Sequence, residues 1–122
     1  MKTHHIDSLS EGMLFSDEKI IQETDLDTYW HIGQLGVLAT PILIAFIEQT
    51  IVKFLSDIQG PAFETICLET NMKHIRPANV GEKIHCNVHV KYIDGNMLFF
   101  DVAVLNENNE EIGVGAQERQ II

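Results

Sequence analysis

The sequence predicts an α+β fold in which one long apolar helix packs on a mainly antiparallel sheet. Three observations carry this. Residues 40–57 form a largely apolar segment, with an unbroken apolar run at 42–47, opened by Thr40-Pro41 and closed by Gly60-Pro61, a start and a stop that suit a helix. Four strand-like segments follow it, joined largely by tight turns. One further strand-like segment precedes it. The order strand, loop, helix, four strands is that of a helix layered on an antiparallel sheet.

Residues 13–22 read as the first strand, entered from the turn-like Ser8-Leu9-Ser10-Glu11-Gly12. Residues 23–38 contain Thr28-Tyr29-Trp30-His31, then Gly33 and Gly36, and show no clean period. They read as a loop with a short helical turn, and a loop this long in a compact domain is often functional. Tyr29 and Trp30 suit either packing over a pocket or plain anchoring of the loop. In the helix, Thr40 is a good N-cap and Pro41 fits the first helical position. Gln49, Lys53, Ser56 and Asp57 make a narrow polar stripe, so the rest of the helix must be wrapped by other structure.

The later strands are residues 63–75, 82–93, 97–105 and 111–122. In 82–93, Ile84, Cys86, Val88, Val90 and Tyr92 alternate with His85, Asn87, His89 and Lys91. Asp94-Gly95 reads as a tight hairpin turn, and residues 106–109 turn the chain again. Residues 97–105 are apolar on both faces, which hints at a second buried surface of the kind a dimer supplies.

The 122 residues suffice for one domain, 1–122, with a real core. The longest apolar run, 42–47, is too short to span a bilayer. The beginning, MKTHHIDSLSEG, is polar and lacks an apolar signal segment, so the chain reads as cytoplasmic, with no membrane partner. A net charge of −10 argues against nucleic-acid binding. Lys73, Arg76, Lys83 and Lys91 fall in one short region and could hold a small anion; the plainer reading is scattered surface cations. Cys67 and Cys86 form no CxxC pair, and reduced thiols are expected. No zinc spacing is present. His85 and His89 share a strand face but sit roughly 13 Å apart, too far to share a metal. His4 and His5 receive no role. No metal site is expected.

Glu48 interrupts the apolar helix. Its neighbours at three and four residues, Ile44, Ala45, Ile51 and Val52, are all apolar, which places it inside the buried stripe. A buried carboxylate needs a partner, a proton or a cavity. His74 is the expected partner, because Ile66, Leu68, Thr70, Met72 and His74 share one strand face, which should look toward the helix. Arg76 competes for the role. Thr40 is a cap on one reading; on another, its hydroxyl meets a polarised carbonyl beside free helix-start N–H groups. Thr40 and Glu48 lie about 12 Å apart along the axis, so they cannot bond directly.

Three blocks, ATPILIAFIEQ, NMKHIRPANVGEKI and GVGAQERQII, together with the element order, resemble the hotdog-fold acyl-CoA thioesterases, and in particular the fluoroacetyl-CoA thioesterase-like group. The resemblance covers residues 10–121. It implies a helix wrapped by a five-stranded antiparallel sheet, and a homodimer, or dimer of dimers, with active sites near the subunit interface. It implies that Thr40, Glu48 and His74 are the catalytic set, and that coenzyme A enters as part of the substrate, with no separate cofactor. Pro41, Gln34, Cys67, Lys73 and Arg76 are the expected substrate-binding residues. Fluoroacetyl-specific members carry phenylalanines in the loop before the helix, where this chain has His31-Ile32-Gly33-Gln34, and Cys67 replaces a family glycine. These departures point to a different acyl group or to lost activity.

The expected chemistry is hydrolysis of a small or medium acyl-CoA. His74 acts as base or proton shuttle, Glu48 orients it, and Thr40 attacks or positions water. Helix-start N–H groups after Pro41 would hold the thioester oxygen. The alternatives are a hotdog acyl-CoA hydratase or dehydratase, which needs no Thr40, and a non-catalytic acyl-CoA-binding protein.

Overall fold

The computed structural model describes residues 8–122; His4 and His5 lie outside them. The elements are β1 (Leu14–Ile20), a 3-10 turn (Glu23–Asp25), α1 (Thr40–Gln59), β2 (Thr65–His74), β3 (Lys83–Asp94), β4 (Met97–Leu105) and β5 (Glu111–Ile121). The strands form one sheet in the order β1-β3-β4-β5-β2, with every neighbour antiparallel. The expected α+β architecture, a single long helix against a five-stranded antiparallel sheet, is therefore the one observed.

The core sits between α1 and the inner face of the sheet. Leu43, Phe46, Ile47, Ile51 and Leu55 are buried on α1, at the three- and four-residue spacing of a single helical face. They meet Ile84, Cys86, Val88 and Val90 of β3 and Leu98, Phe100, Val102 and Val104 of β4, all buried. Phe54 stacks on Phe15 of β1 with ring centroids 3.4 Å apart. Burial of Cys86 pushes its thiol up to about 12, which leaves it a small inert core residue. Gly60 ends the helix at φ 95°, a conformation suited to glycine. Gly95 and Asn96 form the two-residue turn between β3 and β4.

Bulges overturn the strict alternation expected along the strands, including one in the β4–β5 pairing between Val104 and Leu105. The β2–β5 register shifts between Cys67 and Glu69. Ile66 and Leu68 consequently point outward, 47% and 48% exposed, while Thr65 and Cys67 join Thr70, Met72 and His74 on the half-buried face. Another shift between Val90 and Tyr92 turns Tyr92 out of the core, where it stacks on Phe99 at 4.1 Å. An extra residue on one strand reverses the side-chain alternation beyond it. Glycine makes the close packing of β5 possible: a Cβ at Gly115 would overlap the Asn71 carbonyl, and one at Gly113 would lie 2.9 Å from Leu43 Cδ2.

Candidate active site

The helix start is fixed by the chain before it. Leu38 N–H donates to Ala78 (2.8 Å) and Ala39 N–H donates to Asp25 (2.9 Å), while Leu26 and Leu38 form an isolated bridge. Ala39, in an extended conformation, occupies the N-cap position, with no side-chain cap bond. The expected capping role of Thr40 is thereby corrected: Thr40 is the first helical residue, and its hydroxyl is free for other use. Thr40 Oγ1 lies 2.8 Å from His74 Nδ1 at the end of β2.

Burial holds the His74 imidazole below its ordinary pKa, with the Arg76 backbone acting more weakly in the opposite sense. The ring is therefore neutral near pH 7. When the Thr40 hydroxyl donates, Nδ1 is the bare nitrogen and Nε2 carries the hydrogen. Nε2 is buried and has no hydrogen-bond partner among the described residues. A threonine hydroxyl on a neutral imidazole is the first link of a nucleophile–base pair.

The pair opens into a cleft of about 320 Å³ whose walls include Ile32, Val37, Pro41, Ile75 and Pro77, with Asp27 and Arg76 also lining it. The expected oxyanion donors are largely committed. Ile42 and Leu43 N–H both donate to the Ala39 carbonyl at 3.0 Å, and Pro41 has no N–H. Thr40 N–H, at the first helical position, has no acceptor within the helix. A larger hollow of about 730 Å³ on the outer sheet face is lined by Ser16, His89 and Asp101. His89 Nδ1 is 3.6 Å from Asp101, but no hydrogen bond joins Ser16 to His89 among the described residues. The cleft at Thr40 has the better chemistry.

Glu48 is not where its neighbours suggested. Its side chain is 41% exposed, because Ile44 and Ala45 are only half-buried and Val52 is exposed. Its partner is Arg119 of β5, at 3.3 Å, rather than His74 or Arg76. Arg119 is buried and also donates to Gln117 Oε1 (2.7 Å), Thr65 Oγ1 (2.8 Å) and the Thr65 carbonyl (3.4 Å). Gln117 in turn donates to Thr70 Oγ1 at 3.1 Å, and Cys67 Sγ lies 3.2 Å from the same oxygen. Within one chain, then, Thr40 meets His74, while Glu48 belongs to a second polar cluster under the middle of the helix.

The other expected residues are dispersed. Pro41 and Arg76 line the cleft. Arg76 Nη1 donates to the Glu111 carbonyl at 2.7 Å, and its Nε lies 3.8 Å from Glu110. Gln34 and Lys73 are exposed, and Lys83 lies 3.6 Å from Glu18. Cys67 sits with the Arg119 cluster. Arg119 and Gln117 are cluster residues that the sequence does not single out, because residues 117–120, Gln-Glu-Arg-Gln, are polar on both strand faces and show no alternation.

This architecture is that of the hotdog thioesterase superfamily. The family described as fluoroacetyl-CoA-specific thioesterase matches residues 21–122, and the chain belongs to it. A solved fluoroacetyl-CoA thioesterase superposes with a TM-score of 0.83 at 17% identity, covering 95% of this chain and 90% of that one. A hypothetical protein of Thermus thermophilus, described as a thioesterase superfamily member, gives 0.84 at 21% identity over 96% and 86%. A hot-dog-like protein from Thermanaerovibrio acidaminovorans gives 0.80 at 18% identity over 92% and 82%. At these identities the likeness is one of fold. No curated protein sequence matches the chain. Among the described residues, no helix is long and apolar enough to cross a membrane.

Proposed function

We propose that this protein hydrolyses a small or medium acyl-CoA thioester, with Thr40 and His74 as the reacting pair. The 2.8 Å contact between Thr40 Oγ1 and the neutral His74 ring carries the reading. His74 Nδ1 takes the proton as the Thr40 oxygen, or a water it holds, attacks the thioester carbonyl. The C–S bond breaks, the imidazolium returns its proton to the leaving thiolate, and water completes hydrolysis if an acyl-Thr40 has formed. Thr40 N–H is the helix-start donor open to the developing oxyanion. No separate cofactor enters this scheme.

Glu48 has a place in the scheme only if it is brought to a His74 ring, and the buried Nε2 lacks a hydrogen-bond partner among the described residues. A homodimer is part of this proposal. The exposed apolar residues Val52 of α1 and Ile66 and Leu68 of the edge strand β2 support it. The protein is read as cytoplasmic.

Thiol release from acetyl- to aryl-CoA esters, with wild type beside His74→Ala, tests the reading. Release by wild type that falls at least a hundredfold in the variant supports it. Equal release by both, or none, rejects it. Hydration of an enoyl-CoA without free thiol would favour the hydratase, and tight binding without turnover the binder.

A further inference from the structure

The segment that carries Thr40 is held from two sides. Ala39 N–H donates to the Asp25 carbonyl at 2.9 Å and Asp27 N–H to the Val37 carbonyl at 2.8 Å, which closes the bridge of Leu26 on Leu38. On the other side, Leu38 N–H donates at 2.8 Å to the carbonyl of Ala78, in the chain that leaves His74. Leu38 and Ala78 are both buried. Where the Thr40 hydroxyl stands therefore depends on where residue 25 is held.

Asp25 is held by its side chain. It ends the 3-10 turn, and its Oδ2 accepts the Gln22 N–H at 2.8 Å, closing that turn on itself. A turn of three residues makes too few bonds to keep its own place. The same oxygen lies 3.0 Å from Lys19 Nζ. Lys19 is fixed by the sheet: it pairs with Ile84 of β3, and next to it Ile21 N–H donates to the Glu82 carbonyl (2.9 Å) and Gly81 N–H to the Ile21 carbonyl (2.8 Å). The ion pair is thus the tie between the turn and the sheet. It is also shielded from water, with Asp25 only 7% exposed. Desolvation offsets most of the attraction in such a pair, so it adds little stability over neutral groups of the same shape. What it does supply is a short, charge-assisted contact of fixed geometry. Neither side chain lines the cleft.

We infer that Lys19 and Asp25 are positioning residues for the Thr40–His74 pair: the ion pair fixes the turn, the turn fixes Ala39, and Ala39 sets the Thr40 hydroxyl on His74 Nδ1. This rests on the thioester reading above and adds the device that holds its reacting groups in register.

The test compares wild type with Lys19→Met, with the double variant Lys19→Met/Asp25→Asn, and with Lys19→Arg. Asparagine keeps an acceptor for the Gln22 N–H, so in the double variant the turn still closes while its tie to the sheet is gone, and no unpaired charge is left buried. Its thermal midpoint should stay close to that of wild type. Its kcat for acyl-CoA hydrolysis should fall about 10- to 100-fold, the scale of a small misplacement of a reacting group, with KM little changed. Lys19→Arg restores a cation and should recover most of the rate. A second readout needs no turnover: the His74 ring signals in NMR spectra at pH 7 should move from their wild-type position toward that of Thr40→Ala, while those of His89, on the outer sheet face, stay. A wild-type kcat in the double variant, unmoved His74 signals, or no recovery in Lys19→Arg overturns the inference. Moved His74 signals in a protein that hydrolyses no thioester keep the positioning role and remove the thioesterase. Hydrolysis with unmoved signals does the reverse. The double variant decides the matter even if Lys19→Met, which leaves Asp25 without its cation, does not fold.

Discussion

Arg119 Nη1 lies 3.3 Å from Glu48 Oε1, so the helix carboxylate is held by a guanidinium from β5 and not by the imidazole at the helix start. The two partners differ in setting: Arg119 is 5% exposed, whereas Glu48 is half in water. Removing Arg119 strands Gln117 Oε1 and Thr65 Oγ1 as well as Glu48. Arg119→Ala should therefore cost about 2–4 kcal/mol of stability. Glu48→Gln should cost about 1 kcal/mol or less, because solvent screens its half of the pair. Urea denaturation of the two variants checks the asymmetry, and equal losses would contradict it.

Thr40 contributes a hydroxyl and nothing to the helix cap. Thr40→Ala should lower kcat about 10²–10⁴-fold while changing the unfolding midpoint little. Thr40→Ser keeps the oxygen and should retain much of the rate. A large stability loss in Thr40→Ala would restore the capping role.

His74 has its pKa lowered, first by burial. Its base form therefore survives acidification, and the acid limb of kcat/KM should have its midpoint below the ordinary value of about 6.5. The stability sign follows from proton binding. Below about pH 6.5 the unfolded histidine is protonated while the folded one is not yet, so stability falls as the pH drops from there to the folded pKa. His74→Gln should lose this part of the pH dependence, as pH-resolved thermal melts would show.

Gly115 faces β2 at a point where even a methyl group overlaps the Asn71 carbonyl and would lie 2.8 Å from the Met72 Cα. Backbone cannot yield as a flexible side chain can. Gly115→Ala should destabilise the chain by about 3 kcal/mol and loosen β2, seen as faster amide exchange over Thr70–His74 than over β3. Gly12→Ala bears on open space but at φ 89°, so its smaller cost would be purely conformational.

Much of the fold was legible because local patterns dictated it. The apolar run at 42–47 with Thr40-Pro41 and Gly60-Pro61 around it marked the helix, and the alternation at Ile84 to Val90 marked β3 with its inner face. Thr40 and His74 could be singled out as chemical groups, because helix starts and strand ends are placed by short-range signals. Their contact spans 34 residues, and it forms because the loop bonds of Leu38 and Ala39 set the angle at which α1 begins.

By itself, the sequence determined the element order, the helix, the inner face of β3 and two of the groups at the cleft. Tertiary structure alone decided which groups meet. Local spacing made Glu48 look buried, yet exposure depends on what covers a helix face, and that face is partly open. The face expected along β2 was broken at Leu68 by a bulge, which turned Ile66 and Leu68 outward and left Thr70, Met72 and His74 inward, a property of two paired strands that neither strand encodes alone; His74, at the end of β2, meets the helix start at Thr40 and not Glu48 further along the helix. Arg119 became Glu48's partner because sheet pairing brought β5 under the helix, 71 residues along the chain. Long-range pairing is set by the packing free energy of the whole chain, and no window of sequence contains it.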